Sequence, residues 1–456
     1  MGRCLELEKY IGKVGIWWID DRPEEIFYAT IVFINGNYVL TSEVIPVDIA
    51  NTLFKRNHDD SILDCFTIHG KVEGTLFSMI NSQASAMESR LIDTSQIEKG
   101  WECSIKIIPA EVVFGGFHAN DDTVITSAVV NFENIDDFIH IKAFETGLDG
   151  IKHVSPESVL LHLDMFSIRL YSTLSCQSSK KSTTYINEVK TEFVFDASTS
   201  ICNARNHISV FCMLLSLLKL NYISTPSIEL FIRNTDNYQE VQVSQNLGYY
   251  HMNYFQEKIE EVRPMPFFLI QYEAIADIFE NVVKRWYIVF EQDKPIIELF
   301  YQVLVKKSVD INKFLNLSQA LEVYSNKYRK KQAKALVTKF PNNEVTNTSA
   351  RLFHKIYDLL EYTNYCFYFS KNQINTVSRW ITDTRNYYTH YGRLTDRALV
   401  KPEERSIINS FMVYLLVILV LNKLGIPKRT IKNNFYHTFY KSTLERIRRL
   451  LALQVM

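Results

Sequence analysis

The sequence predicts an α+β fold, with a β-rich N-terminal domain over residues 1–262 and an all-α helical bundle over residues 263–456. Three observations carry this reading. Runs of β-branched and aromatic residues, separated by turn residues, recur through roughly the first 200 positions. From His207 the apolar spacing changes to that of helices. Beyond Pro264 and Pro266 it stays helical almost to the end of the sequence, so the junction falls near residues 261–266.

Taken in order, Ile26-Phe27-Tyr28-Ala29-Thr30-Ile31-Val32-Phe33-Ile34 is a strand run. Asn35-Gly36 is a hairpin signal, and Tyr38-Val39-Leu40 begins the returning strand. Residues 68–76 (interrupted by Gly70 and Gly74), 103–108, 112–144 and 183–195 continue the theme, which suits a sandwich or a curved sheet. Residues 208–220 space as a helix and 228–232 as a strand. In the C-terminal part, residues 274–290 and 296–305 read as two helices. Phe314, Leu317, Leu321, Tyr324 and Tyr328 then form a stripe at three- and four-residue spacing. Asn342-Asn343 and Asn347-Thr348-Ser349 mark a loop before a helix over residues 352–369. A strongly apolar helix over 407–424 is closed by Gly425 and Pro427. Four or five helices with short links make a bundle.

A chain of 456 residues with 47 % hydrophobic content has room for two or three domains with proper cores. Its seven Cys, at positions 4, 65, 103, 176, 202, 212 and 366, contain no C-x-x-C pair. That pattern argues for reduced thiols in the cytoplasm and against a disulfide framework or a zinc site. The N-terminal residues show no apolar leader, and the longest apolar run, residues 411–421, is too short to span a bilayer. Asp20-Asp21, Asp59-Asp60, Asp121-Asp122 and Asp136-Asp137 read as solvated loop pairs, since no EF-hand or H-E-x-x-H accompanies them; no metal or other cofactor is expected. Trp17-Trp18 reads as core or edge packing.

The net charge of −1 conceals a split. Residues 301–456 hold 26 Lys+Arg against 10 Asp+Glu, whereas residues 1–300 hold 24 against 41. Such a basic C-terminal part suits contact with a polyanion. Attraction between the two parts would also account for it.

One stretch within the helical part carries chemistry: Thr382-Asp383-Thr384-Arg385-Asn386-Tyr387-Tyr388-Thr389-His390-Tyr391-Gly392. Arg385 supplies a cation that grips phosphate in two places, and His390 an imidazole that moves a proton near neutrality. Asn386 directly after the Arg makes the pattern far less common than a bare Arg and His. Two compact look-alikes, Arg56-Asn57-His58 and Arg205-Asn206-His207, lack the spacing and read as lying outside the helical region. On a helix starting at Ile374, the apolar positions Ile374, Val377, Trp380, Ile381, Tyr388 and Tyr391 share one arc of about 120°. Arg379, Asp383, Asn386 and His390 share the opposite side. Arg385 lies about 140° around from His390. Its side chain therefore reaches around, or the helix is distorted, or a second subunit completes the site.

Arg385-Asn386-x-x-x-His390, followed by Tyr391-Gly392 and a later helix at 410–425, resembles the R-x4-6-H motif of the HEPN superfamily, and specifically of the ApeA-like HEPN proteins. The segment Phe314-Leu315-x-Leu317-x-Gln319-Ala320-Leu321-Glu322 resembles the first helix of that domain. Gly15-Ile16-Trp17-Trp18 with Pro23 resembles the ApeA N-terminal domain, with Ala29 standing where that family has Gly. The resemblance implies an HEPN-like ribonuclease bundle behind an ApeA-like sensing or regulatory domain. It further implies a homodimer or higher homo-oligomer and a metal-independent endoribonuclease acting on tRNA in bacterial anti-phage abortive infection. A further reading, compatible with this one, makes the acidic N-terminal part a sensor that binds a phage-derived protein and restrains the basic nuclease. Arg385, Asn386 and His390 are then the catalytic candidates. Asp383 and Glu322 are candidates for positioning, and the basic cluster Lys327, Arg329, Lys330 and Lys331 for phosphate contact or for complementing a helix C-terminus. The rival reading is a non-catalytic HEPN dimerisation module that binds RNA or another ligand.

Overall fold

Strict alternation builds the first strands. In β1 (Val14–Ile19), Gly15, Trp17 and Ile19 point inward while Val14 and Ile16 stay exposed, the period of two that a half-buried strand requires. The computed structural model describes residues 5–34, 37–45, 49, 66–92, 100–116, 118–119, 123–142, 144–147, 150–153, 158–178, 183–223, 225, 228–234, 243–252, 268–305, 310–340, 350–390, 399–436 and 440–453. The Asn35-Gly36 turn, the Asp59-Asp60 and Asp121-Asp122 pairs, the 342–349 loop, the Pro264/Pro266 junction and the Arg56-Asn57-His58 look-alike lie outside the described residues.

The chain forms two compact units. The first comprises Met1–Asp136, His140–Cys212 and Ile223–Ile259, and the second Asp137–Ile139, Met213–Tyr222 and Glu260–Met456.

In the first unit, β1 pairs antiparallel with β2 (Arg22–Ile34) and β4 (Phe66–Val72). β2 pairs with β3 (Asn37–Ile45), β3 with β6 (Gly100–Gly115), β6 with β5 (Thr75–Ile92), and β5 with β4. The ring closes, so in place of the expected sandwich or curved sheet the strands form a six-stranded barrel without free edges. Trp17, Phe27, Tyr38 and Phe77 fill it, each at most 2 % exposed. Trp17 Nε1 donates to the Ala29 carbonyl at 3.0 Å. Gly70 faces the same indole, where a Cβ would lie 2.1 Å from a ring carbon, so that approach requires glycine. The run over residues 68–76 is two strands. Glu73 and Gly74, at φ 48 and 89, make the turn between β4 and β5.

β6 outlasts the barrel. Along one edge its residues 103–107 pair with β3, and Glu111–Gly115 pair with β14 (Val243–Met252). From β14 the sheet continues through β13 (Ile228–Asn234), β7 (Val124–Val130), β12 (Thr183–Ser200), β11 (Phe166–Ser178) and β10 (Val159–His162). β8 (Phe144–Gly147) and β9 (Gly150–His153) form a separate hairpin. The helix Ile201–Lys219 places Phe211 against Phe132 and Phe193, with ring centroids 5.6 and 5.9 Å away. Arg205-Asn206-His207 lies on this helix, contrary to the expectation. Arg205 pairs with Glu111, and the His207 ring lies tilted against Phe166 with centroids 4.5 Å apart, so both side chains are engaged within the β-rich unit.

At one end of the barrel Asp20 is a structural acceptor: His69 Nε2 donates to its carboxylate at 2.7 Å, and His69 Nδ1 meets Ser78 Oγ at 2.9 Å. His118 lies 4.8 Å from the His69 ring. Burial lowers the His118 pKa below its ordinary 6.5; the neighbouring imidazole lowers it further, against the Phe77 carbonyl and Asp20. The folded state therefore binds fewer protons here than the unfolded chain. The resulting stability is present above pH 6.5 and lost as pH falls through the lowered value. Thermal melts of His118→Gln are expected to show a flatter pH dependence below 6.5 than wild type; an unchanged slope would remove His118 from the account.

In the second unit the fully buried Phe138 packs among Phe268, Tyr272 and Phe279, with ring centroids 5.0 to 6.1 Å away. Tyr272 N–H donates to its carbonyl at 3.0 Å. Phe279–Val305 is divided into two helical segments by a kink where Asp293 leaves helical geometry just before Pro295, close to the expected division. The Asp310–Tyr328 helix follows, joined to Pro402–Leu424 by the Tyr324 hydroxyl, which donates to the Leu419 carbonyl at 3.2 Å, and by Asn409 Nδ2, which donates to the Asp310 carbonyl at 2.8 Å. Leu352–Phe367, Lys371–His390, Lys428–Tyr436 and Tyr440–Leu453 complete the bundle. Two described helices, Ile201–Lys219 and Pro402–Leu424, are long and apolar enough to cross a membrane, but most of each is buried inside the protein. Cys202, Cys212 and Cys366 form no disulfide, and burial pushes the Cys366 thiol up to about 12.

Candidate active site

Ser370 starts the motif helix. Its backbone N–H donates to Gln373 Oε1 at 2.9 Å and its hydroxyl accepts from the Gln373 N–H at 3.3 Å, the reciprocal capping box that the order Ser370-Lys371-Asn372-Gln373 encodes. The helix runs Lys371–His390. Ile374, Val377, Trp380 and Ile381, at most 3 % exposed, seat its inner face. Further along, the buried Thr384 hydroxyl accepts from the Val400 N–H at 2.9 Å. Arg405 donates to the Tyr388 hydroxyl at 2.8 Å and lies 5.1 Å from that ring. Together these contacts fix the helix's rotation about its own axis.

The outward stripe so aimed lines a cleft of about 620 Å³, with Arg379, Thr382, Asp383, Arg385 and Asn386 on one wall. Arg351 and Lys355, from the Leu352–Phe367 helix and its N-cap, and Glu322, from Asp310–Tyr328, line the rest. Arg385 reaches around its helix. Its Nη1 donates to Asn386 Oδ1 at 3.3 Å and its Nη2 to Glu322 Oε2 at 3.4 Å. Glu322 Oε1 accepts from Lys355 Nζ at 2.8 Å, so one carboxylate bridges two cations. The three side chains are 13 to 27 % exposed, where charge acts more strongly than in open water.

Among the described lining residues, four cations face two carboxylates, Glu322 and Asp383, a surplus suited to a phosphate group. Thr382 adds a hydroxyl, 7 % exposed as a residue and without a hydrogen-bond partner among the described residues. His390 is the last described residue of the helix, one turn and about 6 Å beyond Asn386. Tyr391 and Gly392 lie outside the described residues. Tyr387 and Tyr388 are half-buried against each other at 5.0 Å.

The structure thus gathers Arg385, Asn386, Asp383 and Glu322 at one cleft. It places the basic cluster elsewhere. Lys327 pairs with the buried Asp293 at 2.6 Å, and Arg329 makes a bidentate pair with Asp358 at 2.5 and 2.8 Å. Lys330 and Lys331 stand exposed on the short helix Lys330–Ala335. Sequence reasoning passed over Arg351, Lys355 and Thr382. The first two, four residues apart, share a helix face, a signal that becomes useful only once the helix's neighbours are known. Among the described residues, no group of three His, Cys, Asp or Glu is placed to hold a metal ion.

A β-rich unit and an all-helical unit whose motif helix turns a guanidinium and an amide into a basic cleft define a two-part protein of the HEPN class. A family model described as ApeA N-terminal domain 1 matches residues 12–286, and one described as Apea-like HEPN matches residues 315–430. The chain belongs to the ApeA-like HEPN family. No curated protein and no solved structure matches it.

Proposed function

We propose that the protein is a metal-independent endoribonuclease of bacterial anti-phage abortive infection that acts on tRNA in the cytoplasm as a homodimer. Residues 263–456 would form the ribonuclease domain. Residues 1–262 would sense a phage-derived protein or restrain the nuclease until it appears. The observation that carries this is the convergence of Arg385 and Asn386, on the helix that also carries His390, with Lys355 and Glu322 on one basic cleft.

The RNA 2′-OH loses its proton to a general base and its oxygen attacks the adjacent phosphorus. The P–O5′ bond breaks and the departing 5′ oxygen takes a proton, leaving a 2′,3′-cyclic phosphate and a 5′-OH. His390 serves as general acid or base, and the equivalent residue of the dimer mate supplies the complementary step. Arg385 stabilises charge building on the phosphoryl oxygens, with Lys355 behind it. Glu322 and Asn386 hold the guanidinium ready, and the incoming phosphate displaces the weaker 3.4 Å contact to Glu322. Asp383 contributes to positioning.

The test is incubation of the purified protein, with any phage trigger it requires, with total tRNA in the presence and absence of EDTA, followed by mapping of the ends. Chelator-insensitive cleavage leaving cyclic phosphate and 5′-OH ends is expected. Ends with 3′-OH and 5′-phosphate, or loss of cleavage with EDTA, would overturn the assignment.

A further inference from the structure

At the end of the Leu352–Phe367 helix stands a residue in a conformation its own side chain disfavours. Tyr368 adopts φ 54, ψ 40, the left-handed region that helix ends ordinarily give to glycine or asparagine. The conformation is imposed from outside. Asn364 donates from Nδ2 to the Phe369 carbonyl at 2.9 Å and accepts the Phe369 N–H on Oδ1 at 2.7 Å, and its backbone carbonyl accepts the Tyr368 N–H at 2.9 Å. This clasp buries Phe369 against Phe367 and Phe411 and leaves Tyr368 56 % exposed. Stability alone would favour glycine here, so the displayed ring calls for another use.

The ring's surroundings are cationic. Lys432 Nζ lies 5.0 Å from the Tyr368 ring centroid. Lys428 Nζ lies 5.2 Å from that of Tyr365 and 5.1 Å from that of Tyr362. Lys428 and Arg429 are exposed at the start of the Lys428–Tyr436 helix, where the helix dipole disfavours positive charge. Two local features that work against stability thus meet on one surface: an aromatic face held outward and cations at the unfavourable helix end.

We propose that Tyr368, Lys432 and Lys428 form a subsite for single-stranded RNA, in which a base stacks on Tyr368 and phosphates lie against the two lysines. Stacking on an exposed aromatic flanked by cations is how single strands are held without sequence preference. An acidic peptide or an anionic membrane would use the lysines but gains nothing specific from a ring locked outward. Tyr368 ends the helix that carries Lys355, about 20 Å from it along the axis, so the subsite takes nucleotides away from the scissile bond. The proposal rests on the reading of the bundle as an RNA enzyme, and is tested by binding alone.

The probe is a fluorescent 2′-O-methyl oligouridine of about twelve nucleotides, which lacks the attacking 2′-OH and stays uncut. Binding to the full chain is read by polarisation across a salt series. Tyr368→Gly is expected to keep or raise the thermal midpoint, since it relieves the backbone, while weakening binding about 5- to 100-fold. Lys428→Gln/Lys432→Gln is expected to reduce the slope of log affinity against log salt by about 1.4. Affinity of Tyr368→Gly within about twofold of wild type would overturn the proposal. So would an equal loss on duplex RNA of the same length, or binding by wild type to phosphatidylserine vesicles or polyglutamate but not to the oligonucleotide. His390→Ala separates the two readings. It should bind the oligonucleotide as wild type does, and if it still cleaves tRNA, the catalytic assignment falls while the stacking subsite stands.

Discussion

His390→Ala and Arg385→Ala are each expected to lower the tRNA cleavage rate by two or more orders of magnitude while the protein stays folded. Loss of a general acid or base removes about 10²- to 10⁴-fold, and loss of a group aimed at developing phosphoryl charge about 10²- to 10³-fold. The structure explains why Arg385→Ala should spare the fold. Its side chain is 27 % exposed at an open cleft, and Glu322 keeps Lys355 as a partner at 2.8 Å when the arginine is gone. His390 is the last described residue of its helix, and the buried contacts that seat that helix, Trp380, Ile381 and Thr384, come earlier. Cleavage by single-turnover kinetics and melting by circular dichroism check the two halves together. Arg385→Lys should recover little, because an ammonium cannot hold two phosphoryl oxygens in a planar fork. Cleavage within about threefold of wild type in either alanine variant would remove that residue from the mechanism.

Much of this site was legible because helix geometry is local. The spacing of Ile374, Val377, Trp380 and Ile381 fixed the inner face, and that in turn fixed where Asp383 and Asn386 point. What spacing left open was Arg385, 140° around from His390 on an ideal helix. In the structure Glu322, 63 positions earlier, holds the guanidinium back over Asn386. Long-range pairing of this kind leaves no period in the sequence. The same limit separated the predicted sandwich or curved sheet from the observed barrel, because closure depends on the β5–β6 pairing and not on any strand's own pattern. Asp293 shows the limit at single-residue scale. Pro295 signals a break, and the backbone does leave helical geometry at Asp293; what no local spacing encodes is that Asp293, 4 % exposed, is held there by Lys327 and by the Tyr328 hydroxyl of another helix.

The basic run Lys327-Tyr328-Arg329-Lys330-Lys331 shows how charge on paper separates into different roles, and Asp358→Ala is the substitution that exposes the difference. Arg329 is 18 % exposed and Asp358 7 %, joined by two hydrogen bonds, with the guanidinium 4.1 Å from the Tyr362 ring. Burial works against the charge on Arg329; the hydrogen bonds and charge of Asp358 outweigh it, and the guanidinium's pKa rises. Removing the carboxylate leaves a buried cation without its counter-ion, which is expected to destabilise the helical unit by about 3–5 kcal/mol. Replacing an exposed lysine such as Lys330 should change stability by no more than about 0.5 kcal/mol. Urea unfolding followed by helical circular dichroism checks both values, and the double variant Arg329→Met/Asp358→Leu should regain most of the loss, because a buried ion pair is often no more stable than apolar side chains of similar size. A cost below about 1 kcal/mol for Asp358→Ala would mean that the pair behaves as a solvated surface bridge. Because Asp358 lies one turn beyond Lys355 on the helix that ends at Tyr368, a true buried pair also clamps the rod that carries both the cleft's lysine and the displayed tyrosine. Asp358→Ala should then weaken oligonucleotide binding and slow cleavage together, whereas Lys330→Ala should do neither.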